Sequence, residues 1–308
     1  MLSKIKGAIL FKGMLKRPDI EKAYAMVPPT DSWYATITKV HDSLAQIRKL
    51  PHQVLELTAH DGTVLKAIYY PGDKSSHMTV ICIHGYTSHA EREWAFPGLF
   101  YHSLGYNVLI PYQRAHGLSG GKYISLGALE HRDMLGWVDK VNALDPEGNI
   151  VLHGLSMGGG IALDLTAKDM KNVRAIISDA PSDSIRDVFR GCAKYYIKKD
   201  PEKAAECAIA RFEKVFGVDT GDFERLDTVA GCRYPLLLSA GSKEDREEQF
   251  ETLKARNPMP TEILILPGCD HGNGMYKQTE MYQQAIKDFI RRATDPASPG
   301  RDACPDTV

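Results

Sequence analysis

The stretch Gly154-Leu155-Ser156-Met157-Gly158-Gly159-Gly160 is the most informative part of this sequence. It follows a short apolar run at residues 150–152 and opens a segment with helical periodicity. A Gly-x-Ser-x-Gly pattern between a strand and a helix is typical of a nucleophile elbow, a strained turn that exposes the serine hydroxyl. Glycines flank the serine because side chains there would clash with neighbouring backbone. We therefore predict that Ser156 is a nucleophile; the alternative is a tight glycine-rich turn with an incidental serine.

Short apolar runs alternate along the chain with longer segments of helical period, which predicts an α/β fold. A hairpin is expected first, with strands at 53–59 and 64–70 joined at Asp61-Gly62. The later strands are apolar on both faces, as in a mostly parallel sheet covered by helices on both sides. They are predicted at 79–83, 107–111, 150–152, 173–178, 236–239 and 263–266. Helices are predicted at 32–50, 91–104, 126–143, 157–170, 245–256 and 276–292.

One interval is too long for a single crossover between strands. It contains helical stretches at 185–198 and 201–216, so residues 182–232 are predicted to form a small helical cap inserted after the sixth strand. The core is then 52–181 with 233–293, preceded by a helical extension at 1–51 and followed by a flexible tail at 294–308. The cap aromatics are expected mainly in its interior, with a pocket lining as the alternative: Phe189, Tyr195, Tyr196 and Phe212.

Composition is that of an ordinary globular protein, with 308 residues, 43% of them hydrophobic and 25% charged. The net charge of −1 shows no basic excess, so no nucleic-acid partner is expected. The six cysteines form no Cys-x-x-Cys pair and no zinc-type cluster, so we expect no bound metal. We also expect free thiols in a reducing, cytoplasmic compartment. No cofactor is expected.

Residues 1–17 have two interpretations. Their apolar runs are too short for a signal peptide or a membrane span. Leu2, Ile5, Ile9 and Met14 are predicted to share one helical face among several lysines. The favoured interpretation is a helix packed on the domain; the alternative is weak contact with an anionic membrane surface.

A second motif, His84-Gly85-Tyr86, directly follows the strand at 79–83. Acyl transfer requires two N–H donors directed at the developing oxyanion. We predict that the backbone amides of Tyr86 and Met157 supply them, and that the His84 ring shapes the loop.

The third motif, Gly-Cys-Asp-His-Gly at 268–272, follows the last strand. The general base must reach Ser156 at the carboxyl edge of the sheet, and this loop ends there. His271 is therefore the predicted base, in the chain order serine, acid, histidine. Its neighbour Asp270 is interpreted as a loop cap.

The acid is expected after the strand at 236–239, where residues 241–248 contain four carboxylates. We rank Glu244 first and Asp245 as the alternative, with Asp179 and Asp183 below them. One of these must accept a hydrogen bond from the base and stabilise its protonated form.

With these motifs the chain resembles the α/β-hydrolase superfamily over roughly residues 53–292, and within it the bacterial single-domain serine hydrolases and esterases. Supporting patterns are His-Gly-Tyr-Thr-Ser at 84–88, Asn-Val-Leu-Ile-Pro at 107–111 and Arg-x-His-Gly-x-Ser-x-Gly at 114–121. The resemblance implies a triad of Ser156, His271 and an acid at 244. Relatives usually carry Asp at 112, Gly at 115 and Asp at 244, where this chain has Tyr112, Ala115 and Glu244.

These features predict hydrolysis of a carboxylic ester of a small molecule through an acyl-enzyme. Thioesterase, amidase, peptidase and acyltransferase reactions use the same residues, because fold and triad do not define the acyl donor. A non-catalytic binding protein on the same scaffold is a further alternative. The sequence leaves the oligomeric state open.

Overall fold

The computed structural model describes residues 2–19 and 34–295. Two predicted segments lie partly outside the described residues. These are residues 20–33 of the N-terminal extension, which include the predicted start of the helix at 32–50, and all but the first residues of the tail. The helices are α1 Leu2–Leu15, α2 Tyr34–Ile47, α3 Ala90–Ser103, α4 Glu130–Leu144, α5 Met157–Asp164, α6 Ile185–Tyr196, α7 Pro201–Phe216, α8 Arg225–Ala230, α9 Glu247–Arg256, α10 Gly274–Lys277 and α11 Thr279–Thr294. The strands are β1 Gln53–Thr58, β2 Val64–Tyr70, β3 Met78–Ile83, β4 Asn107–Tyr112, β5 Asn149–Leu155, β6 Val173–Asp179, β7 Leu236–Gly241 and β8 Thr261–Leu266.

An eight-stranded sheet in the order β1-β2-β4-β3-β5-β6-β7-β8 confirms the predicted architecture. β2 pairs antiparallel with β1 and β4, and the remaining pairs are parallel. The carboxyl ends of β3, β5, β6, β7 and β8 therefore lie at one edge, where the loops that carry the predicted motifs begin.

Apolar side chains pack on both faces of this sheet, as the continuous apolar strands predicted. One buried cluster includes Trp137 of α4 and Ile161 of α5. The other includes Trp94 of α3, Ile47 of α2 and Phe289 of α11. The site at the sheet edge thus rests on a core that is packed from two sides.

Helix α5 ends at Asp164 rather than at the predicted 170, and α4 begins at Glu130 rather than at the predicted 126. The backbone after α5 turns away at Leu165, because Thr166 accepts a hydrogen bond from the Arg233 amide and the Tyr234 hydroxyl binds the backbone of residues 168 and 170. At the start of α4, the Glu130 carboxylate accepts the amides of residues 125 and 127, so that segment forms a loop. In both cases contacts made by the loop replace helical hydrogen bonds.

Helix α1 packs against α7, and the predicted apolar face of residues 1–17 was wrong. An added Cβ on Gly7 would lie 2.6 Å from the Cβ of Cys207, so the glycine permits close approach of the two helices. This approach rotates α1 so that Ile5 and Ile9 are 51% and 67% exposed. Met14 of the predicted face is buried, together with Leu10, Phe11 and Leu15, which lay outside that face. Among the described residues, no helix has the length and apolar composition needed to cross a bilayer.

The 182–232 segment lies between β6 and β7 and contains α6, α7 and α8. Phe189 and Phe212 are fully buried within it, whereas Tyr195 and Tyr196 are 82% and 71% exposed. A buried ion pair joins Arg225 of this segment to Asp164 of α5. The division of the chain into a core and a separate cap stays a prediction.

Candidate active site

Ser156 occupies a strained turn between β5 and α5. Its φ of 58° and ψ of −115° lie outside the conformations that non-glycine residues usually adopt. The turn is held because the Ser156 amide donates to the Asp179 carbonyl at 2.9 Å. A Cβ on Gly158 would lie 1.9 Å from the Ile83 carbonyl oxygen, and one on Gly154 would lie 2.0 Å from the Gly158 oxygen. Both flanking positions therefore require glycine, as the motif predicted.

His271 lies in the loop between β8 and α10. Its Nε2 is 2.9 Å from the Ser156 Oγ, and its Nδ1 is 2.5 Å from Glu244 Oε2. The imidazole side chain is 53% exposed, so it borders solvent on one side. The structure thus brings the predicted serine, histidine and first-ranked acid into one continuous chain of hydrogen bonds.

Glu244 reaches His271 from a short 3₁₀ turn, Ser242–Glu244, that directly follows β7. Its side chain is 8% exposed, and its second carboxylate oxygen accepts the Gly241 amide at 2.9 Å. Asp245, the alternative acid, is exposed and has a left-handed φ of 54°. The carboxylate at His271 is therefore that of Glu244, and the backbone fixes which of its oxygens faces the ring.

The other two acidic candidates have different partners. Asp179 is buried at the end of β6, where it accepts hydrogen bonds from the Ser239 and Tyr282 hydroxyls. Asp183 pairs with Arg246. Asp270, interpreted as a loop cap, forms ion pairs with two lysines on either side of the His271 loop, and its amide binds the Asn273 side chain.

The interaction between Glu244 and His271 shifts both pKa values toward an ion pair. The hydrogen bond to Glu244 raises the pKa of His271 above its ordinary value, against the opposing effect of burial. Burial works against ionisation of Glu244, but the hydrogen bond from His271 and the charge attraction hold its pKa below the ordinary value. The pair is therefore suited to accept a proton at Nε2 and to stabilise the resulting imidazolium.

The loop at residues 84–88, named here the oxyanion loop after its predicted role, passes beside the serine. An added Cβ on Gly85 would lie 3.4 Å from the Ser156 Cβ. The buried His84 ring donates through Nδ1 to the Gly85 carbonyl and accepts the Gln113 amide at Nε2. Burial holds the pKa of His84 well below its ordinary value, so the ring is neutral and serves the loop as predicted. Met157 begins α5, where the first amides have no partner within the helix.

Glu93 is a site-adjacent carboxyl group that the sequence did not reveal. It projects from the first turn of α3, accepts the Gly85 amide at 2.8 Å, and is hydrogen-bonded to the Ser88 side chain. Burial raises the pKa of Glu93 to about 7. Nothing in the spacing distinguishes Glu93 from Glu91, which pairs instead with Arg48. The distinction depends on which side of α3 faces the oxyanion loop.

Comparisons with known proteins agree with the fold. The family model described as serine aminopeptidase, S33, matches residues 74–206. The uncharacterized protein YqkD of Bacillus subtilis is 32% identical over 261 residues, which cover 83% of this chain and 84% of YqkD. The Pyrococcus furiosus esterase Pf2001 is 26% identical, with a TM-score of 0.62 over 79% of this chain and 92% of that chain.

An α/β-hydrolase from Vibrio vulnificus shares the fold at 19% identity, with a TM-score of 0.57 over 82% of this chain and 85% of that chain. Together with the sheet order, these matches establish the class of protein. The chain belongs to the α/β-hydrolase superfamily, and its similarity to a solved esterase supports hydrolase activity.

Proposed function

We propose that the protein is a serine hydrolase that cleaves carboxylic esters through an acyl-enzyme, with Ser156, His271 and Glu244 as its triad. One observation carries the proposal, namely the continuous hydrogen bonds from the Ser156 hydroxyl through the His271 ring to the Glu244 carboxylate. A nucleophile held by a base that is itself oriented by an acid is the arrangement that activates a serine.

In the acylation step, the Ser156 Oγ attacks the ester carbonyl carbon while its proton passes to His271 Nε2. The amides of Tyr86 and Met157 bind the oxyanion of the tetrahedral intermediate. Collapse of the intermediate breaks the bond to the alcohol oxygen, which leaves with the proton from His271. A water molecule then attacks the acyl-enzyme by the same route, releases the carboxylic acid and restores the serine.

Amide or peptide hydrolysis is the second candidate, because the matching family model carries the description serine aminopeptidase. An aminopeptidase must accommodate a substrate ammonium group. The described residues that line the groove leading from Tyr86, presented below, include no carboxylate that could pair with that ammonium. This favours an uncharged acyl group over an aminoacyl group.

The test compares the purified protein with Ser156→Ala on p-nitrophenyl acetate and butyrate and on aminoacyl p-nitroanilides. We expect ester turnover by the wild type and background rates for the variant. Turnover of anilides alone would favour the peptidase, and retained ester turnover in Ser156→Ala would contradict the assignment. Transfer to an added alcohol, in preference to water, would indicate an acyltransferase.

A further inference from the structure

A groove of about 760 Å³ separates α1 from the end of α6. This volume lies within the range of small-molecule sites. Ile9, Gly13 and Met14 line one side, and Cys192 and Ile197 line the other. Most of the lining atoms are apolar, so the groove is suited to a ligand with few hydrogen-bonding groups.

Tyr86 lines this groove and also belongs to the loop that passes beside the nucleophile. Its backbone follows Gly85, which passes beside Ser156, and its amide is the proposed oxyanion donor. Its side chain forms one end of the groove, and its hydroxyl donates to the Met14 carbonyl. A substrate carbonyl held at the Tyr86 amide would therefore lie beside a residue that lines the groove.

The length of the groove follows from the helix that lines it. Lys6 and Met14 of α1 lie at opposite ends, and a helix rises 1.5 Å per residue, so the groove extends about 12 Å. Ile9 and Tyr196 flank it at 67% and 71% exposure, which leaves apolar surface available for burial by a ligand. At the far end, the Lys6 ammonium donates to the Lys199 carbonyl at 2.6 Å.

We propose that this groove binds the acyl chain of the substrate, so that the preferred substrates are esters of long, unbranched carboxylic acids and α1 forms part of the substrate site. The inference rests on the proposed ester hydrolase function. It assigns to the N-terminal helix a role in selecting the acyl chain, in addition to its packing on α7.

Gly13 provides the variant that tests the groove. Gly13 lines the groove and no atom lies within 4 Å of a Cβ added there, so Gly13→Leu adds an apolar side chain to the groove wall without displacing the backbone. Gly191 of α6 is a matched control, because a Cβ there also meets no atom within 4 Å and the residue does not line the groove. Both substitutions replace a helical glycine with a better helix former, so both variants are expected to fold.

The assay measures kcat/KM for p-nitrophenyl esters from acetate to dodecanoate. Each ester is kept below its critical micelle concentration, and no lipid is added. For the wild type and Gly191→Leu, we expect kcat/KM to rise by up to about fourfold per added methylene until the groove is filled. In Gly13→Leu the ratio of dodecanoate to acetate should fall at least about tenfold, because the leucine occupies space equivalent to several methylenes.

The outcomes separate the two proposals. A flat chain-length profile in the wild type, or the same profile in Gly13→Leu as in Gly191→Leu, would overturn the acyl groove while leaving ester hydrolysis intact. Absence of hydrolysis for every ester would overturn the proposed function, and the inference with it.

Discussion

Replacing Glu244 with glutamine should impair His271 as a base, because the substitution changes which nitrogen of the His271 ring carries the proton. One carboxylate oxygen of Glu244 accepts the Gly241 amide at 2.9 Å and the other accepts from His271 Nδ1. In Glu244→Gln, the amide oxygen must stay with Gly241, because a side-chain NH₂ cannot accept its N–H. The NH₂ group then faces Nδ1, which must become an acceptor, and the ring proton moves to Nε2 opposite Ser156. A ring protonated at Nε2 cannot take the serine proton.

The size of the effect follows from this geometry. The equivalent carboxylate-to-amide change in a serine protease triad lowers kcat by about 10⁴, or about 5.5 kcal/mol of transition-state stabilisation. Since the Gly241 amide enforces the same unfavourable orientation here, we expect a loss of about 10³ to 10⁴ in kcat. The assay is steady-state hydrolysis of a p-nitrophenyl ester above the pKa of His271, with Ser156→Ala as the background.

Asp245→Asn is the matched control. Asp245 is exposed, and asparagine tolerates its left-handed φ of 54°, so kcat should stay within about twofold of the wild type. A loss below tenfold in Glu244→Gln, or a larger loss in Asp245→Asn, would refute the argument and move the acid away from Glu244.

Three further perturbations follow from the same structure. The pKa of His271 is raised and His271 acts as a base only when unprotonated, so kcat/KM should fall with decreasing pH at a midpoint above 6.5. An NMR titration of Glu244→Gln should give a lower pKa for the His271 imidazole than in the wild type. An unchanged imidazole pKa would contradict the role of Glu244 in raising it. Glu93→Ala removes the acceptor of the Gly85 amide and should lower kcat by about tenfold. Glu93→Gln keeps an acceptor oxygen, so its kcat should lie close to that of the wild type. Equal losses of kcat in the two variants would argue against a loop-positioning role for Glu93. Arg114 is 4% exposed and binds both carboxylate oxygens of the fully buried Asp133. Asp133→Ala should therefore lower the free energy of unfolding by about 3 kcal/mol. A decrease of less than about 1 kcal/mol, measured by chemical denaturation, would contradict this expectation.

Sequence order was sufficient to predict which side chains meet. The elbow follows β5, the acid turn follows β7 and the histidine loop follows β8, and parallel strands place all three carboxyl ends at one edge. Ser156 and His271 could therefore be selected from position, whereas position narrowed the acid only to the 241–248 segment, with Glu244 ranked above Asp245. The glycines at 154 and 158 also carry a local signal, since only glycine fits the contacts found there.

Other features depend on contacts between distant segments and could not be read from the sequence. The orientation of α1 depends on Gly7 meeting Cys207, two residues whose spacing carries no pattern. Glu93 and Glu91 occupy the same first turn of α3, yet only Glu93 holds the oxyanion loop. The groove lies between α1 and the end of α6, two segments far apart in the chain, and the Tyr86 hydroxyl binds the Met14 carbonyl of α1. Periodicity predicts elements, whereas these contacts are set by how the elements pack.

An activated serine at position 156 is the central claim, and covalent labelling tests it most directly. The folded protein would be treated with a fluorophosphonate, digested, and analysed by peptide mass spectrometry, with Ser156→Ala treated in parallel. We expect one stoichiometric adduct on Ser156 in the wild type and none in the variant. No adduct on the folded wild type, or labelling at another residue that persists in Ser156→Ala, would contradict the central claim and favour a binding protein on this scaffold.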